Sequence, residues 1–138
     1  MDSSSNMWGS PDEAMARVNA QVAEAQQRAE RATAVRIEMD ALRGKAKSPK
    51  GEVEVEVDTS GRLVGLELTS DAMDLGEREL SKLIVATSRA AAAKAGELAV
   101  ELAADAFGQE SSITERFREE ISERNAKAAP VDSDIKYV

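Results

Sequence analysis

Neither cysteine nor histidine occurs in the 138 residues of this chain. The first absence excludes disulfides and thiolate metal sites. The second removes the Ser-His and Cys-His pairs of nucleophilic catalysis and the commonest ligand of zinc and iron. No Gly-rich phosphate loop of either common type is present. Acid–base chemistry would fall to carboxylates, lysines and a single tyrosine, Tyr137, at the end of the chain. That inventory is too thin for a catalytic site, so the chain reads as a non-enzyme without cofactor or metal. The apolar runs fall far short of the roughly 18 residues a membrane span needs. No secretory pattern opens the chain, which makes the cytoplasm the expected location and leaves the membrane out as a partner.

Aromatic residues are also scarce, at 3% against 42% hydrophobic overall, and alanine supplies much of the difference. Alanine buries little area, so one copy alone would have a thin core. An extended helical form, or an oligomer that shares its core, is the expected outcome.

Residues 1–10 read as a disordered lead that carries the one tryptophan, Trp8. Ser10-Pro11-Asp12-Glu13 is a helix start: Ser10 and Glu13 form a capping box and Pro11 suits the first helical position. Met15, Val18, Val22, Ala25, Ala29 and Ala32 then recur at spacings of three and four, close to three heptads of a short coiled coil. Arg36 interrupts the series, and Gly44 with Lys47-Ser48-Pro49 is expected to end the helix.

The stretch GEVEVEVDTSGRLVGLELT, residues 51–69, changes the period to two. Val53, Val55 and Val57 fall on one face and Glu52, Glu54, Glu56 and Asp58 on the other. Thr59-Ser60-Gly61-Arg62 supplies the turn, with Gly61 free to take a positive φ. Val64, Leu66 and Leu68 form the second apolar row. Two strands alone are only marginally stable, so the hairpin needs a third strand, a covering helix or the same hairpin from another copy.

A second long helix follows Asp74–Glu77 and reaches about Phe107, with Leu80, Ile84, Thr87, Ala91, Ala95, Leu98, Leu102 and Ala106 along one stripe. Gly108 is placed to end it. Ser112 and Glu115 cap a shorter helix with Ile113, Phe117 and Ile121 on one side, and Pro130 stops it. The class is α+β: residues 11–108 form one domain, and residues 109–138 a helical extension with a frayed tail.

Gly51, Val53, Val55, Val57, Asp58, Gly61, Leu63, Leu66 and Leu68, followed by Leu80, Leu83, Ile84 and Ala86, set a hairpin between two long helices. This succession resembles the YbaB/EbfC family of small nucleoid-associated proteins, most of all its acidic, alanine-rich actinobacterial members, over residues 18–103. The resemblance implies an intertwined, tweezer-like homodimer in which two sheets join and helices project as arms. It also implies sequence-tolerant binding of double-stranded DNA in the nucleoid. The rows Val53, Val55, Val57 and Val64, Leu66, Leu68 would then face helices and partner, forming the dimer interface.

A net charge of −8 has the wrong sign for a phosphate binder, but distribution matters more than the total. Residues 28–50 hold seven basic side chains (Arg28, Arg31, Arg36, Arg43, Lys45, Lys47 and Lys50) against three acids, a net of +4. Residues 51–80 hold two against nine, a net of −7. In one reading the seven basic residues contact phosphates, which sets affinity without reading bases. In the other they solvate a helix and pair with Glu24, Glu38 and Asp40. The acidic strand row lacks the converging carbonyls of a calcium site, and suffices as a solvated face that discourages edge pairing. The alternative function is an acidic protein-interaction module, secretion or envelope associated, without DNA affinity, with the C-terminal extension as docking element.

Overall fold

The first helix begins where its capping residues stand. In the computed structural model of the chain, which describes residues 9–128, Glu13 N–H donates to Ser10 Oγ at 3.1 Å and Ser10 N–H to Glu13 Oε2 at 3.3 Å. This reciprocal pair satisfies N–H groups that a helix start leaves free. Helix α1 covers Pro11–Ala41 and buries none of its residues. The expected lead before residue 9 with Trp8, and the tail from residue 129 with Pro130 and Tyr137, lie outside the described residues.

The chain divides into two compact units, Met1–Arg36 and Ile37–Val138. The first holds α1 up to Arg36. The second holds strands β1 (Gly44–Lys47), β2 (Val53–Val57) and β3 (Leu63–Leu68), then helices α2 (Ser70–Met73), α3 (Glu77–Phe107) and α4 (Ser112–Ala128). The strands form one antiparallel sheet in the order β1-β2-β3. The fold is thus α+β, with the third strand that the hairpin required.

A three-stranded sheet is one of the expected forms; what the structure corrects is the segment that supplies the third strand. α1 stops at Ala41, and Gly44–Lys47, expected as helix end and linker, is β1. Arg43 Nη1 closes the helix end by donating to the carbonyls of Asp40 and Leu42, each at 2.8 Å. Gly44 then lets the strand approach α3. A Cβ there would stand 2.1 Å from the Ala91 carbonyl oxygen and 2.5 Å from Ala95 N, a clash with backbone that no rotamer relieves.

The core lies between β2 and α3. Val53, Val55 and Val57 are fully or almost fully buried against Ala91 and Ala95, with Leu80, Leu83 and Ile84 packed around them. The buried series of α3 begins as expected with Thr87, Ala91 and Ala95, then continues as Ala99 and Ala103 in place of Leu98 and Leu102. Each four-residue step turns only about 40° around the helix, so successive members of the buried series lie side by side and the leucines fall beside them. Past Gly108, Ser111 rather than Ser112 caps α4: Ser111 Oγ accepts from Thr114 N–H at 3.1 Å. The buried Thr114 donates its hydroxyl to the Gly108 carbonyl at 2.7 Å and so pins the turn between the two helices. α4 packs on α3, with Ile121 seated over Gly96, whose missing side chain makes room.

Candidate nucleic-acid interface

The hairpin turn is built by one carboxylate. Asp58 Oδ1 accepts from Ser60 N–H at 3.0 Å, Ser60 Oγ at 2.6 Å and Arg62 N–H at 2.9 Å, while Gly61 takes a φ of 85°. The Ser60 hydroxyl first, and then the Arg62 N–H, hold the Asp58 carboxyl below its ordinary pKa. At the opposite end of β2, backbone N–H donation and the Ser48 hydroxyl do the same for Glu52.

Across the hairpin, Val53 faces Leu68, Val55 faces Leu66 and Val57 faces Leu63. A bulge between Glu56 and Val57 skips Val64. Val64, expected in the inward row, is thus the extra residue, and Leu63 takes its place. Directly opposed residues share a face, so the three leucines continue the valine row. Their surroundings differ: the valines lie under α3, whereas Leu63, Leu66 and Leu68 keep 49, 41 and 40% exposure.

The outer face pairs Lys45 with Glu56 and Lys47 with Glu54, the latter as an ion pair at 4.0 Å. Glu54 also stands opposite Glu67 on β3, a like-charge pair. Lys50 lies beside Glu52 and favours its charged form. Of the seven basic residues singled out from the sequence, four belong to the second unit: Arg43 is engaged by helix-end carbonyls, and Lys45, Lys47 and Lys50 each face an acid. Arg28, Arg31 and Arg36 are exposed on α1 in the first unit. Among the described residues no group of three or more His, Cys, Asp or Glu could hold a metal ion, and no helix is long and apolar enough to cross a membrane.

Two further arginines carry no signal in the sequence pattern. Arg124 of α4 donates from Nη1 to the Thr59 carbonyl at 2.8 Å, across 65 positions of chain. Arg89 of α3 lines a groove of about 450 Å³ with Gly61, Ile84, Val85, Ser88, Ala92 and Asn125. No periodicity marks either residue, because the turn, α3 and α4 meet only through the tertiary fold.

A comparison with curated proteins finds no match. The model of the YbaB/EbfC DNA-binding family matches residues 13–110, which takes in α1 from its first turn, the whole sheet and all of α3, and leaves out α4. The chain belongs to the YbaB/EbfC DNA-binding family.

Proposed function

We propose that the protein binds double-stranded DNA as a homodimer, with little sequence preference, as a nucleoid-associated protein of the cytoplasm. The observation that carries the assembly is the bare leucine row of β3, which continues a buried row and lies on an edge strand with unpaired backbone groups. An apolar edge of this kind is a template for another strand, and a second copy offers an identical one. Pairing β3 with β3 about a twofold axis closes both edges at once. Met15, Val18 and Val22 of α1 are also at least half exposed and repeat at coiled-coil spacing; they suit the same partner.

Membership of a DNA-binding family supports the ligand. Among the seven basic residues of the segment 28–50, the exposed Arg28, Arg31 and Arg36 are the better phosphate contacts, since the acids beside Lys45, Lys47 and Lys50 already neutralise part of their charge. Contacts of this type carry no base information, which accounts for sequence tolerance. Light scattering at micromolar concentration, with a duplex titration between about 50 and 200 mM salt, tests both parts. A mass of two chains and a steep loss of affinity with salt are expected. A folded single-chain mass removes the dimer, and no binding at the low-salt end removes the DNA reading.

The Glu54–Glu67 pair favours a second reading, in which the acidic outer face of the sheet meets a basic protein surface and DNA affinity is lost. Capture of a basic partner that survives deletion of residues 109–138 would place that contact on the sheet.

A further inference from the structure

Two arginines from separate helices meet at Gly61, and a third follows it in the chain. Arg62 follows Gly61 in the turn, the Arg124 side chain lies within 4 Å of where a Gly61 side chain would begin, and Arg89 lines the groove that Gly61 closes. They come from β3's approach, α3 and α4, yet all belong to the second unit. We infer that Arg62, Arg89 and Arg124 form a phosphate-contacting cluster at the β2–β3 turn, with the backbone of duplex DNA as its ligand. The inference rests on the DNA-binding reading and adds a contact surface outside the basic segment of residues 28–50.

The chemistry of the three side chains carries it. Arg89 is half-buried yet makes no hydrogen bond or ion pair among the described residues. A guanidinium presents five donors in a fixed fork, and setting it into a groove without an acceptor has a cost that an arriving anion removes. Arg124 uses only one donor on Thr59, and a carbonyl leaves its charge uncompensated. Among the described residues no carboxylate lines the groove. The nearby acid, Asp58, spends Oδ1 on three hydrogen bonds in the turn and faces Arg62 Nε with Oδ2 at 3.9 Å, so it answers part of the Arg62 charge and leaves Arg89 and Arg124 as the principal contacts. Ser88 and Asn125 add neutral donors of the kind that accompany arginine at phosphates. The planar fork matches phosphate oxygens two at a time, which lysine does not.

The placement also gives α4 a role. It lies beyond the family-matched residues, and its last turns bring Arg124 and Asn125 to a turn that α3 alone leaves open on that side. The Arg124–Thr59 bond holds the turn and the helix in one register, so a rigid element rather than a loose tip presents the cluster.

The test is a salt-dependent titration of a short mixed-sequence duplex with the intact protein, Arg89→Gln, and Arg89→Gln combined with Arg62→Gln. Arg89 has no partner to lose among the described residues, so its variant should melt as the unaltered protein does. Its duplex affinity should fall roughly five- to ten-fold at low salt, and the slope of log affinity against log salt should shrink by about one for each phosphate no longer neutralised. The double variant should shrink it further. Arg124→Lys, which keeps the charge but loses the fork, should weaken binding with a nearly unchanged slope. Unchanged affinity and slope in both glutamine variants overturn the cluster and leave the DNA-binding reading standing. Failure of the intact protein to bind duplex DNA overturns both.

Discussion

α1 and α3 are the same length, 31 residues each, and both are rich in alanine, yet one buries nothing and the other buries seven residues. What α3 buries fully is small, and larger apolar side chains stay outside on α1: Met15, Val18 and Val22 are exposed, while Ala91, Ala95, Ala99 and Ala103 are covered. Apolarity alone therefore does not decide what is inside. α3 has a valine-faced strand to lie on, and its small residues let that strand approach closely. The same contrast divides the sheet. β2 and β3 offer inward rows of similar character, but α3 spans β1 and β2 and leaves β3 bare. The chain folds one covered half of an apolar surface and exposes the other, and the exposed half is where a second copy has most to gain.

The sharpest way to break the contrast is to strike the covered row. Val55→Asp places an unpaired charge in a fully buried site, at a cost on the order of 4 kcal/mol. Since small domains hold only about 5–15 kcal/mol, circular dichroism and urea titration should show a largely unfolded or severely weakened chain. Gly44→Ala is the next largest. Its methyl group would press on the backbone of α3, and overpacking of this kind costs about 2–3 kcal/mol, readable as a lower urea midpoint with an unchanged slope. Leu66→Lys, on the uncovered row, should act the other way round. It sits opposite Val55, but a single chain loses less than about 1 kcal/mol from a half-exposed position, while self-association through the proposed β3 surface should weaken roughly ten-fold or more because the substitution puts charge at its centre. Equal losses of stability in Val55→Asp and Leu66→Lys, with no change in mass for the latter, would erase the distinction between the rows.

Much of this is legible in the residues. The Ser10–Glu13 capping box, the alternation of Val53, Val55 and Val57, and the turn glycine Gly61 each carry a local physical reason, and the fold contains all three. What escapes is decided at a distance. Gly44-Lys45-Ala46-Lys47 has no strand pattern of its own; it becomes β1 because Lys45 and Lys47 find Glu56 and Glu54 and because Gly44 fits under α3. Period two assigns Val64 to the inward row, and only the bulge replaces it with Leu63. The seven basic residues between positions 28 and 50 are conspicuous as a run of charge, yet four of them are answered by carbonyls or acids of their own unit. Arg89 and Arg124 are inconspicuous in sequence because α3 and α4 bring them to Gly61 from separate places.

The smallest expected effect concerns the turn itself. Hydrogen bonds from the Ser60 hydroxyl and the Arg62 N–H favour the charged form of Asp58, so its pKa in the folded chain lies below the unfolded value. A group depressed in this way adds stability that is complete above its unfolded pKa and is lost as the pH falls through the folded one. The carboxylate is partly open to solvent, which screens the gain, so the effect is modest. Asp58→Asn keeps an acceptor oxygen for the turn and removes the titration. Its melting temperature should lie slightly below that of the unaltered protein near neutral pH, and the two should converge as the pH drops below the ordinary carboxylate range. Glu52 titrates in both proteins and cancels from the difference. A gap that stays constant across that range would mean the turn depends on the shape of the side chain and not on its charge, and β2 would then be pinned electrostatically at its Glu52 end alone.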